Sequence, residues 1–107
     1  MAIDIIKAVL AARPALGLAI TRALAGGDDP YVRQMAGVIA SYMGTGGVEV
    51  LALLAGDSDP MVRRSAALAA YVAYHLGSPA SRPLLEQLAE DADPSVSETA
   101  QECLGLD

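Results

Sequence analysis

The sequence has no Phe and no Trp, one Cys, one His, and only seven Lys and Arg against 13 Asp and Glu. Each scarcity removes a class of function. The lone Cys103 excludes an internal disulfide and a multi-Cys zinc site, and a reducing cytoplasm is the simplest setting for it. The lone His75 excludes the paired histidines of a metal centre. A net charge of −6 argues against nucleic acid, whose phosphates need Lys and Arg, and against an anionic membrane surface. Long hydrophobic runs are missing too. The stretch 65–76 is shorter than the about 20 apolar residues that span a bilayer. Residues 1–12 are apolar, but Asp4 and Lys7 interrupt them and no basic segment precedes them, so a targeting signal is not expected there.

What is present is Ala, Leu, Val, Ile and Met, within a hydrophobic share of 53% over 107 residues. Ala and Leu are strong helix formers. A core without large rings suits helices that approach closely, and the length suits one domain.

A single pattern, L-A-x-x-x-D-P-x-V-x-x-x-A, starts at Leu24, Leu54 and Leu88. Its prolines, Pro30, Pro60 and Pro94, are separated by 30 and then 34 residues, a period that signals a helical solenoid. Asp29, Asp59 and Asp93 fit N-caps, accepting the free N–H groups of a helix's first turn and complementing its dipole. The prolines then fall at the first helical position, where a missing N–H costs nothing. The Val and the Ala four residues later share one face, which must be buried. Each unit therefore reads as helix, Asp-Pro turn, helix.

Seven helices are expected, over 2–12, 14–25, 30–43, 47–55, 60–76, 79–90 and 94–104. Arg13-Pro14 closes the first, since the residue before Pro disfavours the helical region. Gly44, Gly77 and Gly105 fit helix stops. Pro83 is expected to kink the helix it shares with Pro79. The domain divides into an N-terminal half-repeat or cap, 1–13, and helical pairs at 14–44, 45–77 and 78–107.

Residues 77–88 resemble the first helix of a HEAT repeat, and 88–100 resemble its turn and second helix. Asp57-Ser58-Asp59-Pro60-Met61-Val62-Arg63 is the closest of the three copies to the HEAT pattern. The flavour is similar to the short bacterial HEAT-like repeats also found in phycobilisome lyases. The resemblance covers about residues 14–105. It implies an all-α, right-handed α-α superhelix whose second helices line a concave face. It also implies that the Arg after the Val pairs with an Asp of a neighbouring turn. Arg33 and Arg63 match that Arg, and Asp29 and Asp59 are the expected partners. Ser97 stands in its place in the third copy.

No catalytic constellation emerges. Cys103 lacks a basic neighbour in sequence that would activate it, and reads as a buried or inert thiol. The spacing of Asp57, Asp59, Asp91 and Asp93 is explained by turn and cap chemistry. His75 reads as a partly exposed residue near a helix C-terminus, where positive charge suits the dipole. Gly26-Gly27 and the 44–47 segment lack the preceding strand and the Lys of a phosphate loop.

Given the resemblance, the exposed positions of the second helices are Tyr31, Gln34, Ser41, Tyr42, Arg64, Ala67, Tyr71, Tyr74, His75, Glu98 and Gln101. Tyr and Arg are enriched at interfaces, so these tyrosines with Arg64 and His75 compose a protein-binding patch. The plainer reading is that Tyr replaces Phe at the core edge with its hydroxyl in water. The leading functional expectation is a non-enzymatic interaction or scaffold module without cofactor or metal, whose partner is another protein. The first alternative is self-assembly into a homo-oligomer through apolar end helices, carrying Ile3, Ile5, Ile6, Val9 and Leu10 at one end and Leu104 and Leu106 at the other. The second, from fold analogy, is an accessory subunit to a cofactor or chromophore lyase.

Overall fold

The computed structural model describes residues 4, 5, 8 and 11–106. Asp4, Ile5, Ala8, Ala11 and Ala12 are helical, and Arg13 breaks the helix before Pro14. The helices that follow are α1 (Pro14–Ala25), α2 (Pro30–Ala40), α3 (Thr45–Ala55), α4 (Pro60–His75), α5 (Arg82–Leu88) and α6 (Pro94–Gly105), with a 3₁₀ turn at Pro79–Ser81 before α5. No strand occurs among the described residues.

The Asp-Pro turns explain where the second helices begin. Asp29, Asp59 and Asp93 adopt nearly the same extended backbone, with φ of −84°, −90° and −84°. Their carboxylates accept hydrogen bonds from the backbone N–H groups of Tyr31, Met61 and Ser95 at 2.9, 2.8 and 2.9 Å. Each following Pro occupies the first helical position. Gly44 and Gly77 take φ of +64° and +101° after α2 and α4, a backbone region that favours glycine.

Several helix boundaries differ from expectation, and α3 starts at Thr45 rather than residue 47. α2 ends at Ala40, not residue 43, because the chain tightens into three-residue turns. The N–H groups of Tyr42 and Met43 donate to the carbonyls of Ile39 and Ala40, and the Ser41 hydroxyl donates to Val38 O at 2.6 Å. The expected helix 79–90 is split. Pro83 does not kink a continuous helix; it sits in the first turn of α5, after the 3₁₀ turn, where its missing N–H breaks no ladder. The buried Ser81 fixes this corner, its hydroxyl lying 2.9 Å from Ala70 O and 2.8 Å from Ser78 O. Gly105 ends α6 as its last residue, and Leu106 is the cap.

The helices pack as successive antiparallel pairs, α1 with α2, α3 with α4, and α5 with α6. The second helices also pack on one another, α4 against both α2 and α6, and more extensively than the first helices do. The sequence makes this closeness available. α4 buries Val62, Ala66, Ala67, Ala69, Ala70 and Ala73, and Gly37 of α2 lies against Ala69, Leu51 and Leu54. Small side chains on the facing sides let the backbones approach. Leu51, Leu54, Leu85, Leu88, Val50, Val62 and Val96 are the largest buried aliphatic side chains. The radius of gyration, 12.8 Å, is close to the about 13 Å of a globular chain of this length. A stack this short therefore presents a shallow face rather than a deep superhelical groove.

Candidate functional site

Two arrangements stand out on this scaffold, one polar and one largely apolar, and they do different work. The first lies inside the turns. Arg33 donates from Nε and one terminal nitrogen to the two carboxylate oxygens of Asp57, at 2.8 and 3.2 Å. Its other terminal nitrogen donates to the carbonyls of Gly27 and Asp28. Arg63 repeats the geometry on Asp91, at 2.8 and 3.2 Å, and on the carbonyl of Asp57. The expected partners of these arginines, Asp29 and Asp59, are therefore replaced. Each Arg reaches forward to the Asp two residues before the next cap. That Asp also accepts the cap residue's own N–H, at 2.9 Å in both turns. The cap aspartates instead use Oδ1 on the backbone N–H two residues on, in the helix they start.

The pairs are half-buried, and their charges respond. Burial pushes the Asp57 carboxyl up, but the Arg33 hydrogen bonds, the Asp59 N–H and the charges of Arg33 and Arg63 outweigh it, and the net shift is downward. At Asp91 the Arg63 hydrogen bond dominates, opposed by burial and helped by the Asp93 N–H, again lowering it. Asp93 is lowered by the Ser95 hydroxyl and N–H. Arg33 and Arg63 are raised by their Asp hydrogen bonds. Ser97 makes only a long contact to Pro94 O, at 3.4 Å, and the ladder has two rungs among the described residues. All of this is architecture.

The second arrangement is a surface. On α2 the exposed positions Tyr31, Met35 and Val38 recur at helical spacing, and on α4 so do Met61, Arg64, Leu68, Val72 and His75. On α6 the corresponding stripe is Ser95, Glu98 and Glu102, followed by Leu106. Cross-helix hydrogen bonds fix these helices side by side. Ser65 donates to Gln34 across α2 and α4, at 3.1 Å, and Arg64 donates to Thr99 across α4 and α6, at 3.1 Å. Between α2 and α4 runs a shallow groove of about 180 Å³ lined by Val38, Ser41, Tyr42, Ser65, Leu68, Ala69 and Val72. Val38, Leu68 and Val72 are 44%, 44% and 38% exposed.

The sequence matches the family of HEAT repeats over residues 18–105. The chain belongs to the HEAT-repeat family. No curated protein matches it, and no solved structure matches it. In this HEAT stack the second helix of each pair carries the surface just described.

The residues expected on one patch separate into three groups. Tyr31 is 78% exposed at the start of the α2 stripe, Gln34 is half-buried against Ser65, and Tyr42 lies at the end of the groove. Arg64 is exposed at the α4–α6 seam. Tyr71, Tyr74 and His75 cluster at the end of α4, with ring centroids 4.5 and 5.4 Å from His75. Tyr74 is turned toward α5, where the Arg82 guanidinium lies 5.6 Å from its ring centre, and Tyr71 packs on the core. Ala67, expected on the surface, is fully buried: it faces the small-residue side on which helices meet. Ser41 is buried too, its hydroxyl taken by the end of α2.

The exposed Met35, Val38, Leu68 and Val72 escaped the sequence reading. Apolar residues at helical spacing read as core, and only the second apolar stripe on helices that already have one could have signalled them. Of the apolar end residues, Ile5 and Leu106 are exposed and Leu104 is half-buried, while Ile3, Ile6, Val9 and Leu10 lie outside the described residues. Cys103 is buried. No group of residues that could hold a metal ion, and no helix long and apolar enough to cross a membrane, occurs among the described residues.

Proposed function

We propose that this HEAT stack is a non-enzymatic interaction module that binds another protein on the outer, solvent-facing side of its second helices, the side that the repeat pattern implies is concave. The observation that carries the reading is the apolar set of Val38, Leu68 and Val72, exposed along the walls of the groove on that face. Exposed contiguous apolar surface marks interaction sites, and a solenoid offers such a surface on a rigid support. The groove is smaller than the about 300 Å³ from which small-molecule sites begin, which favours a side-chain anchor of a larger partner over a free metabolite. Tyr31, Tyr42, Arg64 and His75 border the stripe and supply polar contacts around it.

The test is affinity capture from the native cell with quantitative mass spectrometry, comparing Leu68→Glu with Leu53→Glu. Leu53 is exposed on α3, in the layer of first helices, and serves as the control. Captured partners fall sharply with Leu68→Glu and persist with Leu53→Glu, while circular dichroism of both matches the parent. Equal capture by the parent and Leu68→Glu would refute the reading.

A further inference from the structure

The outer face changes character across the stack. Its α2 and α4 portions are largely apolar around Val38, Leu68 and Val72, whereas α6 presents Glu98 and Glu102, both exposed, before Leu106. The one cation between them, Arg64, is drawn to the seam by its bond to Thr99. Three of the other arginines, Arg22, Arg33 and Arg63, are each paired with a carboxylate. No ion pair joins Glu98 or Glu102 to a cation among the described residues, and the chain as a whole carries a net charge of −6.

We propose that the partner segment is a cationic peptide stretch: one or two large apolar side chains that seat over Val38, Leu68 and Val72, followed by Lys or Arg residues that reach Glu98 and Glu102. This rests on the reading of the outer face as the binding surface and adds the chemistry of what it binds. Opposite charge on the rim steers the approach and sets the register, while the apolar anchor supplies most of the affinity. A second copy of this chain is a poorer occupant, because it brings a further −6 to a face whose rim is already acidic. An acidic segment is disfavoured for the same reason.

The experiment is selection of a displayed random 12-residue peptide library on the purified protein, followed by fluorescence anisotropy with the enriched peptides. Enriched sequences carry apolar residues beside Lys or Arg. Their affinity falls about tenfold or more with Leu68→Glu. It also falls about tenfold with the double change Glu98→Lys and Glu102→Lys, and that loss shrinks as salt screens the charges. Peptides that lose binding with Leu68→Glu yet lack cationic residues, or ignore the double change, would overturn the cationic chemistry and leave the face standing. Peptides indifferent to Leu68→Glu would overturn the face itself. Failure to enrich any peptide counts against the cationic segment. So does a dimer of the protein alone, seen by sedimentation and abolished by Leu68→Glu, which would give the face to a second copy.

Discussion

At the scale of single residues, the aspartates of the turns divide one task between two positions. Asp29, Asp59 and Asp93 start helices, and Asp57 and Asp91 hold the preceding repeat by its arginine. Removing one member of a half-buried, doubly hydrogen-bonded pair leaves the other desolvated and unmatched. Asp91→Ala is expected to cost about 2 kcal/mol of stability, measured by denaturant unfolding, and Arg63→Met a similar amount. In a double-mutant cycle the two losses fall well short of additive, since they remove the same interaction; full additivity would sink the rung. The same pairs predict acid sensitivity. Asp57 and Asp91 have carboxyls held below their unfolded value, so their contribution is present above the unfolded pKa, about 3.9. It is lost as pH falls from there through the folded value. The melting temperature of the parent should drop more steeply below about pH 4 than that of Asp91→Asn, which has no carboxylate there to protonate. Parallel curves would show that the pair does not govern the acid limb.

At the scale of elements, α3 starts hard against the end of α2. A methyl at Gly47 would fall 1.9 Å from the carbonyl oxygen of Ala40, whereas one at Gly46 would meet Leu18 at 3.6 Å, ordinary contact. Gly47→Ala is expected to destabilise by about 2 kcal/mol or more. Gly46→Ala is expected to be neutral or mildly stabilising, because Ala favours the helix. Thermal melts of the two variants check this, and similar melting temperatures would contradict the close approach.

Much at this scale was legible in the sequence. The L-A-x-x-x-D-P-x-V-x-x-x-A spacing is local, and each cap acts within two residues, so the starts of α2, α4 and α6 follow from it. The partner of Arg33 was not legible, because Asp57 lies 24 residues away and only the stacking of turns chooses it over nearer carboxylates. The end of α2 and the split at Pro83 also escaped, since propensity does not fix where a helix tightens. The apolar outer stripe was hidden by the helices' overall apolarity, which gave periodicity too little contrast to separate a buried side from an open one.

At the scale of the whole molecule, stability is expected to be uneven. α4 is the longest helix, with 16 residues, and it packs on α2, α3, α5 and α6. α1 buries only Gly17 and Thr21. Stacked repeats derive stability from their neighbours, and local opening follows burial. Amide hydrogen exchange followed by mass spectrometry should show α4 as the slowest element and α1 opening well before it. Uniform protection along the chain would mean that the stack unfolds as one unit.

The forward-reaching arginines give the stack a chemical valence. The first turn has Gly27 where the other two have Asp57 and Asp91, and the last has Ser97 where the others have Arg33 and Arg63. The first pair of helices can therefore only give a rung, the third can only receive one, and the middle pair does both. In the language of polymers, the middle pair is a bifunctional monomer and the outer two are chain stoppers. A longer array assembled by copying the middle pair would leave no arginine without an aspartate, whereas one made by copying either outer pair would leave a turn unlocked at each new junction.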